Sequence, residues 1–141
     1  MHNIGYIHLD LKPDNVLIGS RDLQNHRSRM LYLIDFGISR KYREPDGTHV
    51  PFRVDVPFTG NLVFSSVNSF LSYELSRRDD LESLLYLLTY LGIGNLPWIC
   101  LMSAKSQSVS SHLIKQQKIK IRGEKLCKDM PSMDHIFNLF I

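Results

Sequence analysis

Between Leu84 and Met102 the chain runs for 19 residues without a charged side chain. Leu81, Leu84, Leu85, Leu87, Leu88 and Leu91 occupy every side of a helical projection through the start of this stretch. A helix that is apolar all round is stable only when it is enclosed. One way to enclose it is a bilayer, which needs about 20 apolar residues in a continuous helix. Gly92, Gly94, Asn95 and Pro97 interrupt the second half, and Asp79, Asp80 and Glu82 crowd the front, so a membrane span is rejected. The pattern predicts a buried helix from about residue 79 to 92, a central post with other elements packed on all sides. The two acids in its first turn suit the positive end of the helix dipole, and Gly92 or Gly94 supplies the stop.

A post of this kind needs a domain around it, and the composition provides one. With 141 residues, 43% apolar and 22% charged, the chain has the make-up of a single soluble globular domain. At this length folding buries about two-thirds of the unfolded surface. Cys100 and Cys127 are too few for a disulfide framework and fit the reduced thiols of a cytoplasmic or nuclear protein. The first residues carry no basic segment and no apolar run of signal-peptide length. The net charge is +3, with Lys105, Lys115, Lys118, Lys120, Arg122, Lys125 and Lys128 gathered against Glu124 alone. No aromatic side chains are interleaved with this cluster, so it is taken as a solvated basic face rather than a nucleic-acid platform.

The rest of the chain shows no repeat and no division into two domains. Tyr6 to Ile7, Asn15 to Ile18 and Met30 to Ile34 are short apolar runs, the last two predicted to form a hairpin with a long loop. Residues 37–57 lack periodicity and are expected to form a long irregular segment, a feature usually tied to function in a compact domain. Further helices are predicted over 103–117 and 132–140. The fold class is α+β, mainly α-helical.

Chemistry concentrates in His8-Leu9-Asp10-Leu11-Lys12-Pro13-Asp14-Asn15 and, after the hairpin, Asp35-Phe36-Gly37. Pairing of the hairpin strands is expected to bring Asp10, Lys12, Asn15 and Asp35 to one edge. The amide oxygen of Asn15 and the carboxylate of Asp35 are hard ligands suited to Mg2+. Asp10 is then free to accept a hydroxyl proton, and Lys12 to neutralise a phosphoryl group in transfer. Taken singly, each has a plainer role: Asp10 or Asp14 as a turn former, Lys12 as a solvated charge, Asp35 as a strand-end cap, Phe36 as core. Their joint spacing favours a phosphoryl-transfer site.

These motifs resemble those of the C-terminal lobe of a eukaryotic protein kinase, residues 8–15 corresponding to the catalytic loop and 35–37 to the metal-binding D-F-G. The segments Asp35 to Arg43, His49 to Arg53, Thr59-Gly60, Ser66-Val67-Asn68, Ser76 to Leu84 and Leu96-Pro97-Trp98 are similar to the casein kinase I family. Ser66-Val67-Asn68 in place of the usual Ala-Pro-Glu is the most telling. The resemblance implies a partial kinase domain over 1–141, with an activation segment over 35–68 and no N-terminal lobe. It implies a Ser/Thr kinase moving the γ-phosphoryl group of ATP to protein hydroxyls, with Asp10 as base, Lys12 on the γ-phosphate, and Asn15 and Asp35 on magnesium. Phe36 would pack under the site, and Asp80 would hold the catalytic-loop backbone.

The sequence also departs from that pattern. No glycine-rich loop or strand lysine precedes His8, and Met1 falls where a helix leading into the catalytic loop should already be under way, so a truncated reading frame is expected. Leu9 replaces the arginine of H-R-D, removing control through a phosphate held by that arginine. Asn61 replaces a threonine that bonds the catalytic aspartate and lysine, and Val63 an arginine near the substrate anion site. These changes support an alternative, a non-catalytic pseudokinase or fragment that binds a partner over the surface the other lobe would cover. On either reading the expected partners are proteins, not nucleic acid or membrane, and the expected compartment is the cytoplasm or nucleus.

Overall fold

The computed structural model describes residues 1–20, 22, 24–103, 106–121 and 126. Over these the chain is a small α+β domain. Four short strands come first: β1 (Tyr6–Ile7), β2 (Val16–Ile18), β3 (Leu31–Leu33) and β4 (Arg40–Lys41). Three α-helices follow: α1 (Val67–Phe70), α2 (Arg77–Ile93) and α3 (Gln107–Lys120). The helix predicted over 132–140 lies outside the described residues, as do Lys105, Arg122, Lys125, Cys127 and Lys128.

The predicted hairpin is present. Strands β2 and β3 pair antiparallel with Val16 opposite Leu33 and Ile18 opposite Leu31, and the long connection contains a 3-10 turn, His26–Arg29. Strand β1 stands apart from this pair. It bonds to β4, with Ile7 opposite Arg40, inside the segment that lacked any strand pattern. Two residues are too few to show an alternation of polar and apolar side chains, which explains why periodicity missed β4.

Helix α2 begins two residues earlier than predicted. The carboxylate of Asp79 accepts the backbone N–H of Ser76 at 2.7 Å, which fixes the cap at Ser76 and leaves Arg77 as the first helical residue. At the other end Gly94, with φ of 80°, donates its N–H to Tyr90 O, so Gly92 lies within the helix and Gly94 stops it.

The expectation of packing on all sides needs correction. Leu85, Tyr86 and Leu87 are buried with Phe64, Phe70, Trp98 and Ile114 in the main core. Leu81 and Leu91 remain exposed at 40% and 62%, with Leu84 and Leu88 half-buried between them. Spacings of three, four and three residues place these leucines on one stripe. The post is therefore buried along one side and open along the other among the described residues.

The basic cluster is not uniformly solvated either. Lys118, on α3, is buried, its ammonium 4.5 Å from the Tyr86 ring centre, 5.0 Å from Trp98 and 5.1 Å from Phe70. It donates a hydrogen bond to the Ser65 carbonyl. Burial pushes its pKa down to about 7, opposed by the Glu82 carboxylate. Glu82 itself is raised by burial, against hydrogen bonds from Tyr86 Oη at 2.6 Å and Val67 N at 2.9 Å.

Two predictions follow from this core. Trp98→Ala removes a fully buried ring and is expected to destabilise the fold by about 3–5 kcal/mol, read as a drop in the urea midpoint by far-UV circular dichroism. Between the folded value of about 7 and the ordinary lysine value of 10.5 the unfolded chain holds the proton that buried Lys118 has lost, so stability rises with pH across that window and is lost as pH falls back. The urea midpoint is expected to be higher at about pH 9.5 than at about pH 7, and this rise to shrink in Lys118→Met.

Candidate active site

The segment from His8 to Asn15 is anchored from the first turn of α2. Asp80 is buried, and its two carboxylate oxygens accept the backbone N–H groups of His8 at 2.8 Å and Leu9 at 2.9 Å. His2 Nε2 lies 2.7 Å from the same carboxylate. Sequence alone left Asp80 open as a simple helix-start acid like Asp79; the bonds place it on the loop. Asp79 instead joins α2 to the Ser66-Val67-Asn68 segment, accepting from Ser66 Oγ at 2.8 Å and Asn68 Nδ2 at 2.9 Å.

His8 is fixed in one tautomer by its neighbours. Its Nδ1 accepts the Asp10 N–H at 3.2 Å, so Nε2 carries the proton and donates to Ile34 O at 3.1 Å. This single ring links the loop over residues 8–15 to the residue before Asp35. Ile34 N also donates to Asn15 O at 3.0 Å, continuing the β2–β3 ladder to the end that bears Asn15 and Asp35. The ladder thus brings Asn15 and Asp35 to the same end of the hairpin.

Asp10 is largely buried, and three side chains donate to its carboxylate. Lys12 Nζ reaches Oδ2 at 2.6 Å, Asn15 Nδ2 the same oxygen at 3.0 Å, and Asn61 Nδ2 reaches Oδ1 at 3.0 Å. Asn15 Nδ2 also bonds Asp10 O at 2.8 Å, tying the loop's two ends together. Burial works to raise the Asp10 pKa, but the hydrogen bonds from Lys12, Asn61 and Asn15 and the charge of Lys12 bring it below the ordinary carboxylate value. Lys12 is held charged, raised by its bond to Asp10 against partial desolvation and helped by the charges of Asp14 and Asp35.

Asn61 is itself aimed by a backbone bond. Its Oδ1 accepts the Phe64 N–H at 2.6 Å, which points Nδ2 at Asp10. The residue keeps the bond to the aspartate; the structure gives it no bond to Lys12. Val63 packs against the core and offers its carbonyl to Trp98 Nε1 at 2.8 Å. Leu9 is buried with Ile7, Tyr42 and Leu75. It has φ of 71°, a left-handed conformation that disfavours a leucine by about 1–2 kcal/mol.

Asp35 is exposed, also left-handed with φ of 60°, and its Oδ1 accepts only the Gly37 N–H at 3.2 Å among the described bonds. Phe36 departs from expectation. It meets the His8 ring edge-on at 5.2 Å but is 53% exposed, lining an apolar cleft of about 480 Å³ with Met1, Ile4 and Tyr6. Sequence reasoning also missed Glu74, which is buried, accepts from Arg53 Nε at 2.8 Å and forms ion pairs with Arg53 Nη2 at 2.7 Å and Arg40 Nη2 at 3.1 Å. An acid between two distant arginines leaves no local signal to find it by.

Among the described residues no three His, Cys, Asp or Glu side chains converge as a metal cluster. The donor chemistry fits magnesium in another way: with Asn15 Nδ2 committed to Asp10, Asn15 Oδ1 and the exposed Asp35 carboxylate are the hard oxygens at the site, and Mg2+ commonly takes one or two such protein ligands, filling the rest with water and phosphate. No family model matches the chain. No helix among the described residues is long and apolar enough to cross a membrane.

Removing the anchor should release the loop. Asp80→Asn keeps the size but cannot accept two backbone N–H groups and His2 equally well. It is expected to destabilise the chain by about 2–3 kcal/mol, with the amide protons of His8 and Leu9 exchanging fastest relative to wild type in a hydrogen-exchange experiment.

Proposed function

We propose that this chain carries the catalytic half of a Ser/Thr protein kinase site of the casein kinase I type, transferring the γ-phosphoryl group of ATP to protein hydroxyls. The observation that carries the reading is the hold on Asp10: a carboxylate fixed by Lys12, Asn15 and Asn61, on a loop pinned by Asp80, beside an exposed Asp35. A phosphoryl transfer asks little covalent chemistry of the protein and much positioning and charge.

In this reading Asp10 orients the substrate hydroxyl and takes its proton as the oxygen attacks phosphorus. The leaving group is ADP. Lys12 is drawn from Asp10 toward the arriving phosphoryl oxygens, which both neutralises them and frees Oδ2 as acceptor. Asn15 and Asp35 would hold magnesium, whose charge offsets that of the phosphates. The low Asp10 pKa keeps the group ionised at neutral pH, suited to positioning more than to strong base catalysis.

A second reading, a partner-binding module without turnover, is favoured by the open apolar cleft at Met1, Ile4, Tyr6 and Phe36. The two readings separate in one assay. Residues 1–141 alone are expected to give no phosphotransfer. A chain extended by a nucleotide-covering lobe is expected to phosphorylate protein, and Asp10→Asn or Asp35→Ala to lower the rate roughly a hundredfold to ten-thousandfold. A folded extended chain that transfers no phosphate would leave the binding module as the better account.

A further inference from the structure

Lys118 has no part in the chemistry above, yet it is among the most enclosed side chains of the protein. A buried lysine is an expensive way to fill space, since an apolar residue of like volume does so as well or better. What distinguishes it is where its N–H bonds go. The segment after Asn61 is a tight turn, with Ser65 N donating to Asn61 O at 3.1 Å. One face of that turn carries Asn61 to Asp10; the carbonyls of Val63 and Ser65 point the other way, into the core. Trp98 Nε1 takes the first and Lys118 Nζ the second.

We propose that Lys118 is a positioning residue for Asp10: from α3 it clamps the 61–65 turn, together with Trp98, so that Asn61 stays aimed at the Asp10 carboxylate. The route is short and continuous. Lys118 holds Ser65 O, Ser65 N holds Asn61 O, Phe64 N holds Asn61 Oδ1, and Asn61 Nδ2 holds Asp10 Oδ1. The rings of Phe70, Tyr86 and Trp98 around the amine restrict it to one direction. An amine donates whether or not it is charged, so the clamp does not depend on protonation. The proposal rests on Asp10 as the reactive group, but its test needs no turnover.

The experiment is hydrogen exchange by NMR on the ¹⁵N-labelled chain 1–141, following the Asn61 side-chain amide and the Phe64 backbone amide. Gly19, whose N–H bonds Met30 O beyond β2, serves as a distant reference. Lys118→Met keeps the apolar stem and removes the donor. Exchange at Asn61 and Phe64 is expected to quicken about tenfold, as loss of one buried hydrogen bond would allow, while Gly19 and the urea midpoint at pH 7 hold or improve. Unchanged exchange at Asn61 and Phe64, or an equal rise at all three sites, would reduce Lys118 to a packing element and overturn the proposal. If the methionine variant does not fold, Trp98→Phe removes only the other donor to the same turn; there too faster exchange confined to Asn61 and Phe64 supports the clamp, and no change rejects it. An inactive chain still decides this question, whereas an active one with Asn61 undisturbed in Lys118→Met would sink the clamp and leave the kinase reading standing.

Discussion

The carboxylate of Asp80 is the joint on which the site is built. It projects from the first turn of α2 and receives two successive backbone N–H groups, at His8 and Leu9, from a part of the chain some seventy residues earlier. Those donors lie in a buried loop, where an unpaired N–H would be costly. Meeting them with a charged acceptor brings the loop and the helix into one unit. From there the geometry propagates: His8 reaches Ile34, Asn15 closes the loop on Asp10, and the β2–β3 ladder delivers Asp35 to the same edge.

A second joint organises the other wall. Asp79, next in the chain, binds Ser66 and Asn68, while Glu82 one turn on accepts the Val67 N–H. Three acids from the first two turns of α2 thus fasten the loop over residues 8–15 on one side and the segment following Asn61 on the other. Glu74 adds a third tie, between β4 and Arg53. The stretch over 37–57 is ordered by such side-chain ties together with short backbone pairings, β4 on β1 and Arg43 opposite His49.

How much of this was legible in the sequence differs by residue. The leucine-rich helix and the hairpin announced themselves through periodicity, and the Asp10, Lys12, Asn15 and Asp35 set through spacing around a predicted hairpin. The extent of burial was misjudged because leucines at 81 and 91 satisfy a buried pattern whether or not anything covers them. Lys118 was misassigned for a related reason: composition treats a lysine among lysines as solvated, and the aromatic residues that enclose it come from positions 70, 86 and 98. Glu74 was invisible, since Arg40 and Arg53 are brought near it only by the folded path of the chain, whereas Asn61 was singled out by resemblance alone and its bond to Asp10 came from the structure.

Leu9 carries a consequence of its own. Its backbone asks for glycine or asparagine, but its side chain fills the small core made with Ile7, Tyr42 and Leu75. Glycine would relax the torsion and leave a void; a β-branched residue would fill the void and worsen the torsion; a polar one would enter an apolar wall. The position is therefore a trap for substitution in every direction, torsion and packing each forbidding what the other would allow.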